Sequence, residues 1–544
     1  MFKEHKKNIL IIVILSILIM TVLSLDLKLL SHDMGFHLAN IDNLKTYLNP
    51  FNGKFLPSDI MPNLANNLGY GLYIFYPSLP HLVFAYLFKF LSLFGANILL
   101  SNMIVNTLIT IISSLIIYKL MHKISSNKNM SLLSSIIYIF FPYRLSCIFI
   151  RYSINEIFIS LFIPLILLSL FELKEKNYKK FCLYFIIGYI GMIYSHLVMT
   201  IFLTIIIIPF IFLYRKEIFN KKSLKIITLS IIFVSAFVLP NVINVMVHRN
   251  SNYFLDINNY MTSIGLLEQN TMDFGRYFTL KNDKWDVQMY IPIICVIGFL
   301  ITIYYFIKNK KEVDKFYYFL LISLLISVLF TLPFFPWKIL PDFLYMIQFP
   351  WRMMSFIGVL LSLLIPYGIS KLKIKYSILI FIILILLSTV PLISHFNSRT
   401  YKFEGIEYEL GTGNLGEYYP IEKYYSEDYY KNRKDNAVFV HGSAEIKKIK
   451  TEFPNYKFEV KNNRNARVEI PMLYYKGYEF KINGNSYKYY RSKNGLIEIA
   501  CYEDGIYEVT YKGHIYKRVF TGIKYITIII LAALLIRKKY KQGI

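Results

Sequence analysis

The sequence predicts a mainly α-helical polytopic membrane protein of about 12 transmembrane helices, with a small extracytoplasmic antiparallel β-domain. Three observations carry that prediction. The 544-residue chain is 55% hydrophobic with a mean hydropathy of +0.45, an apolar load that soluble domains rarely carry. Apolar runs of about 18 residues or more recur, each long enough to cross about 30 Å of hydrocarbon. The region before the last run instead alternates apolar and polar residues between turn signals, the pattern of half-buried strands.

Twelve segments account for the apolar runs: 8–30, 98–120, 131–150, 153–171, 181–195, 197–214, 223–246, 287–307, 316–333, 353–370, 376–395 and 519–536. The first is too long for a removable signal peptide and is followed by no small-residue cleavage site. One set of connections is short and basic, among them MHKISSNKN, KEKNYKK, YRKEIFNKKSLK and KNKKEVDK. The sign rule for membrane loops assigns these to the cytoplasm. It also absorbs the net charge of +26 that would suggest nucleic acid in a soluble chain, so no nucleic-acid partner is expected. The other set, 31–97, 241–286, 334–352 and 396–518, is longer and should face outside, with both termini inside a bacterial cell membrane. Tyr76–Phe94 is apolar too, but it is short and carries Pro77, Pro80, His81 and Lys89. A crossing there would invert every later basic loop, so it is expected to lie on the outer surface.

The expected division is 1–395 for the transmembrane domain with its first outer loop 31–97, then 396–518 for a β-sandwich-like domain, then 519–544 for a final helix and basic tail. Turn signals NGN at 483–485, KNG at 493–495 and EDG at 503–505 separate the alternating stretches and predict successive hairpins. Of the four cysteines, Cys147, Cys182 and Cys295 fall in apolar runs and Cys501 has no partner in its own region, so no disulfide framework is expected.

Polar residues in so oily a chain locate the chemistry. SHDMGFHLANIDNL, residues 31–44, places Asp33 and His37 one helical turn apart, with Asp42 on nearly the opposite side. Two readings stand: Asp33 caps a surface helix through its affinity for free backbone N–H groups, or Asp33 and His37 work together. One aspartate and two histidines are too few for a dedicated zinc cage. FPYRLSCIFIRYSINEIF, residues 141–158, carries Arg144 and Arg151 seven positions apart, which a continuous helix would set on one face. Arginine at such depth needs a partner or water. Either an internal Arg151–Glu156 pair holds the hairpin, or the guanidiniums grip phosphate through their two-pronged geometry. His196 interrupts two runs with almost no loop, and Trp351 and Arg352 sit in QFPWR where a run begins. Membrane-belt anchoring is the plain account of Trp351, and recognition of a headgroup or sugar face the functional one. Arg249, Asp273, Arg276, Asp283 and Asp286 in the 241–286 loop show no spacing that converts to chemistry.

HDMGFHL, FYPSLPHL, RYSINEI, SHL, QFPWR and GEYYP (416–420), in this order over nearly the whole chain, resemble the YfhO-like bacterial integral membrane proteins, often labelled 6-pyruvoyl-tetrahydropterin synthase-related, within the GT-C glycosyltransferases. That label fits poorly, because the chain holds no H-x-H pair. The resemblance implies a GT-C-like fold and transfer of a sugar from a polyprenyl-phosphate donor to a glycan acceptor, such as a teichoic acid or other cell-wall polymer. The first-loop carboxylate role carries onto Asp33, with His37 beside it and Glu156 as a third catalytic residue. Arg144, Arg151, His196 and Arg352 are the expected donor-phosphate contacts, and Tyr76, Gln348 and Trp351 the substrate or lipid contacts. No acidic pair accompanies Asp33, which leaves open a metal-free reaction or a divalent ion, Mg or Mn, held by Asp33 and His37. Neither a dinucleotide-binding glycine fingerprint nor a D-x-D motif in a soluble domain is present. Two alternatives remain: a transporter or flippase of lipid-linked saccharides, whose sites would lie near the midplane, and a non-enzymatic envelope assembly protein.

Overall fold

A computed structural model describes residues 2–26, 30–249, 263–280, 286–374, 376–399, 402–407, 412, 418–420, 438–452 and 455–541. A helix or a closely spaced helix pair occupies each of the twelve expected segments. Among the described residues six helices are long and apolar enough to cross a bilayer, or seven if Lys128–Ile139 and Pro142–Phe149, bent by 43°, form one span. Leu197–Leu213, Ile293–Lys308 and Lys315–Thr331 are apolar but shorter, so length and composition establish fewer crossings than the twelve expected. The helix Leu79–Ser92, within the segment assigned to the outer surface, has 14 residues. It is about 21 Å long, short of a bilayer core.

Local chemistry sets the helix ends. The Asn97 side chain accepts from the Leu100 N–H at 2.9 Å, and that of Asn127 accepts from Asn129 and Met130. Asp314 does the same for Phe316 at 2.7 Å. Each satisfies backbone donors that a helix start leaves open. The 43° bend falls at Pro142, which has no N–H to continue the preceding helix.

Two compact units share the chain. One comprises 1–38, 79–234 and 259–405 and is a helical bundle. Its centre is formed by Ile154–Lys174 and Pro350–Ser370, 83% and 89% buried, against 28% for His5–Leu23 and 22% for Ser377–Asn397. The second pair therefore presents an apolar outer face and the first pair the packed interior. Close approach uses glycine, as is usual between membrane helices. A Cβ on Gly368 would stand 2.6 Å from the Thr302 backbone.

The other unit comprises 39–78, 235–258 and 406–544 and contains the β-structure. Seven strands form one antiparallel sheet: β1 Val438–Glu452, β2 Asn455–Leu473, β3 Tyr478–Ile482, β4 Asn485–Tyr487, β5 Tyr490–Arg491, β6 Leu496–Ala500 and β7 Gly505–Tyr511. The order is β4-β3-β7-β2-β6-β5, with β1 also on β2. The expected sandwich is thus a single sheet among the described residues. Asn483 and Gly484, both with positive φ (47° and 87°), turn β3 into β4 as the NGN signal predicts. The loop ending in Gly495 joins paired strands β5 and β6. EDG does not close a hairpin, because β6 and β7 pair on different stretches of β2 rather than with each other.

Contacts in this unit also gather segments that the expected division at 395/396 keeps apart. Asp59 accepts from Tyr511 at 2.9 Å and Asn244 at 3.3 Å and pairs with Lys517. The Leu473 N–H donates to the Leu68 carbonyl at 2.9 Å. From GEYYP, Tyr418 stacks on Phe75 with ring centroids 4.8 Å apart and Tyr419 is buried near Tyr70; Gly416 and Glu417 lie outside the described residues. All four cysteines are free thiols.

Candidate functional site

The site in the helical bundle begins with a backbone contact. The segment preceding the Met34–Tyr47 helix lies against the turn that ends the Pro142–Phe149 helix. His32 N–H donates to the Ile150 carbonyl and Asp33 N–H to the Arg151 carbonyl, both at 2.9 Å. The Ser31 hydroxyl adds a bond to the Phe149 carbonyl at 2.8 Å. Arg399, buried, clamps the same place by donating to the carbonyls of Phe149, Leu30 (3.2 Å) and Phe396 (2.9 Å). These bonds fix Asp33 beside Arg151.

The turn also separates the two arginines. Its N–H groups fold back onto Ser146 and Cys147, and Tyr152 takes a positive φ of 54°. Arg144 and Arg151 therefore do not share a helical face, contrary to their spacing. Arg144 donates to Thr110 Oγ1 at 2.6 Å and packs on the Tyr138 ring at 5.0 Å. Arg151 instead pairs with Glu156 in the first turn of Ile154–Lys174.

Glu156 is the hub. Its carboxylate is paired with Arg151, stands 3.2 Å from Arg352 Nε and accepts from the Tyr143 hydroxyl at 2.6 Å. The Arg151 guanidinium lies over the Trp351 ring at 4.6 Å, and Trp351 meets Tyr143 edge-on at 6.2 Å. Arg352 Nη1 donates to the Ile347 carbonyl at 2.8 Å, across a turn in which Gln348 takes a positive φ of 59°. His196, in extended backbone between two helices, is within electrostatic reach of Arg352, Glu156 and Arg151. The expected internal Arg151–Glu156 pair is present, and it is part of a larger cluster. Glu156, expected as catalytic, has both oxygens engaged, one by Arg151 and one by Tyr143.

Asp33 is reached by solvent at its surface, yet protein encloses it enough to matter electrically. Desolvation raises its pKa above the ordinary carboxylate value, against the opposing pull of Arg151, His32 and Arg352. His37 turns inward instead. It is buried, and its Nδ1 shares a hydrogen bond with His81 Nε2 at 3.0 Å. Burial, then His81 and Arg151, hold its pKa well below the usual imidazole value, so it is neutral at physiological pH. Among the described residues no three His, Cys, Asp or Glu side chains converge to hold a metal ion. His37 Nδ1 is engaged by His81, and no step is routed through a metal.

Tyr76 belongs to the other compact unit. In the 241–286 loop Arg276 and Asp286 approach to 3.8 Å, while Asp283 and the Arg249 side chain lie outside the described residues. Sequence reasoning passed over Tyr143 and Arg399. Tyr143 adjoins Arg144 in the quoted FPYR stretch, where one more buried hydroxyl was visible; Arg399 carried no local signal.

The cluster joins two guanidiniums to one carboxylate, which leaves a surplus positive charge beside Asp33. Such a surplus suits an anion, and the arginine fork suits phosphate oxygens. No protein-family model and no curated protein matches the chain. Among solved structures it is similar to the arabinofuranosyltransferase AftD from Mycobacteria, at 10% identity and a TM-score of 0.44, over 72% of this chain and 26% of that one. The chain therefore matches about a quarter of that enzyme's length.

Proposed function

We propose that the protein is a membrane glycosyltransferase of GT-C, YfhO-like type, which moves a sugar from a polyprenyl-phosphate-linked donor to a cell-envelope glycan on the outer face. The observation that carries this reading is the convergence of Arg151 and Arg352 on Glu156 with Asp33 held alongside. The cluster lies at the start of Ile154–Lys174, and the lysines Lys174, Lys179 and Lys180 lie at or beyond its other end. With those lysines inside, the cluster faces out. A donor already on that face needs no nucleotide-binding fold.

In the reaction, the Asp33 carboxylate takes the proton of the acceptor hydroxyl as that oxygen bonds to the anomeric carbon. The bond from that carbon to the phosphate oxygen breaks, and its electron pair leaves with the polyprenyl phosphate. Arg151 and Arg352 stabilise the charge that develops there. Glu156 and Tyr143 hold the two arginines in place, and Trp351 supports Arg151 through its ring face. His196, near the same charges, contacts the donor phosphate. The test is mass analysis of wall polymers from a deletion strain complemented with wild type, Asp33→Asn or Arg151→Ala. Wild type should restore one hexose or aminosugar mass that neither variant restores. Full restoration by both variants would overturn the assignment.

A further inference from the structure

The first outer loop carries a feature that the bundle site does not use. Residues 49–54 form a tight hairpin around the 3-10 turn Pro50–Asn52. Asn49 N–H donates to the Lys54 carbonyl at 3.1 Å, and Lys54 N–H returns a bond to the Asn49 carbonyl at 2.9 Å. Gly53, at a φ of 73°, closes the turn. Leu44 and Leu48, which lead into it, are fully buried, so its base is held in the protein. The tip is not: Phe51 is 98% exposed, and Phe55 and Leu56 are 56% and 57% exposed. Single exposed apolar side chains are ordinary, but three large ones on one short loop need a reason.

The same loop is tied to the ends of two apolar helices. Buried Asp59 accepts from Asn244, near the end of Lys221–Arg249, and pairs with Lys517 in the first turn of Ile515–Lys541. Lys221–His248 is long and apolar enough to cross a bilayer, and the sign rule assigns both of these helix ends to the outer face. Phe55 and Leu56 precede Asp59 by four and three positions. Even a fully extended chain leaves them within about 14 Å of it. The headgroup layer on each side of a bilayer is about 5–8 Å deep, so the tip can reach it. We infer that this turn is a lipid-inserting wedge, with Phe51, Phe55 and Leu56 seated in the outer leaflet among anionic headgroups. Residues 43–58 carry Lys45 and Lys54 and no acidic residue, which complements such headgroups in charge. Lysine lays its stem along apolar surface and keeps its ammonium at the headgroups. Lys54 Nζ lies over the Tyr47 ring at 5.3 Å. A protein partner fits less well. Three such side chains offer about 500 Å², and a stable interface covers about 800 Å² on each partner. The wedge rests on membrane topology and not on the sugar-transfer reading.

The test is nitroxide labelling of the full-length protein in lipid nanodiscs. Labels go to Phe51→Cys, to Asn52→Cys, which keeps all three apolar residues, and to Ser486→Cys on exposed strand β4 as a control. Wild type, whose four thiols are buried or half-buried, gives the background. The discs hold phosphatidylcholine alone or with about one quarter phosphatidylglycerol. Oxygen concentrates in hydrocarbon and a nickel chelate in water, so the ratio of their collisions with the label reads depth. In the mixed discs that ratio should be at least about threefold higher at 51 and 52 than at 486. It should be lower in phosphatidylcholine alone, and lower in the mixed discs once Lys45→Gln and Lys54→Gln are added. Equal ratios at all three positions would overturn the wedge. Equal insertion in both kinds of disc would overturn the choice of anionic lipid. Spin–spin broadening that grows with protein per disc would make a second copy the occupant and overturn it too. So would protection from the chelate that arises only when isolated cell walls are added, which would make the occupant a glycan.

Discussion

Replacing Glu156 with glutamine removes one charge and almost no volume, and its consequences follow from the cluster geometry. In the native protein two guanidiniums, with side chains only 7% and 13% exposed, face the same carboxylate. Glutamine can still accept from Tyr143, so the hydrogen bond at 2.6 Å need not be lost. What is lost is the charge that made burial of two arginines tolerable. Removing one partner of a buried ion pair costs about 3–5 kcal/mol, because the other charge is stranded. Taking the lower end, the folded-to-unfolded ratio should fall more than about a hundredfold at a tenfold change per 1.36 kcal/mol. Graded denaturation in mixed micelles, followed by tryptophan fluorescence, measures it, with Trp351 over Arg151 as a local reporter. Adding Arg352→Met to Glu156→Gln should recover part of the loss, since it removes one stranded cation. The two changes should couple by about 1 kcal/mol or more, within the range for residues in contact. Glu156→Gln unfolding at the wild-type midpoint, or strictly additive double-variant losses, would refute the hub.

Asp33 offers a test of sign. Its pKa is raised in the folded state, so the folded protein binds its proton more tightly than the unfolded chain. Stability from this group is fully present below the ordinary aspartate pKa of about 3.9 and is lost as pH rises through the raised folded value. Asp33→Asn should therefore stabilise the protein at neutral pH and not at pH 3, in parallel melts, while sugar transfer falls by about a hundredfold or more. Arg399→Ala should strip donors from the carbonyls of Leu30, Phe149 and Phe396, costing about 1–3 kcal/mol, and should lower turnover by loosening Asp33 from Arg151. Gly368→Ala should push its helix against the Thr302 backbone, and a loss of about 1–3 kcal/mol in the same denaturation assay is expected.

Much of the helical layout was legible because its causes are local. Apolar runs are written in the residues that form them, whereas the break at Pro142 falls inside the expected 131–150 run. The Asn483–Gly484 turn was legible for the same reason, since only residues tolerant of positive φ fit it. Spacing misled where the chain stops being regular. Their seven-residue spacing sets Arg144 and Arg151 on one face only if the helix continues, but it ends at Phe149, Tyr152 takes a positive φ, and the two have different partners. Periodicity sets His37 beside Asp33, but its bond to His81 depends on a helix that begins 42 residues later in the sequence than the residue itself.

By itself, then, the sequence determined which segments are helical, which turn, and which rare polar residues must find partners in an apolar interior. Desolvation makes that last demand without saying who the partners are. Tertiary structure decided the pairings: Arg352 with Glu156 across 196 positions, Arg399 with the carbonyl of Phe149 across 250, and β2 between β6 and β7 instead of a meander. Such contacts have no local signature, because hydrogen bonds and ion pairs depend on distances in space and a linear pattern encodes only distances along the chain.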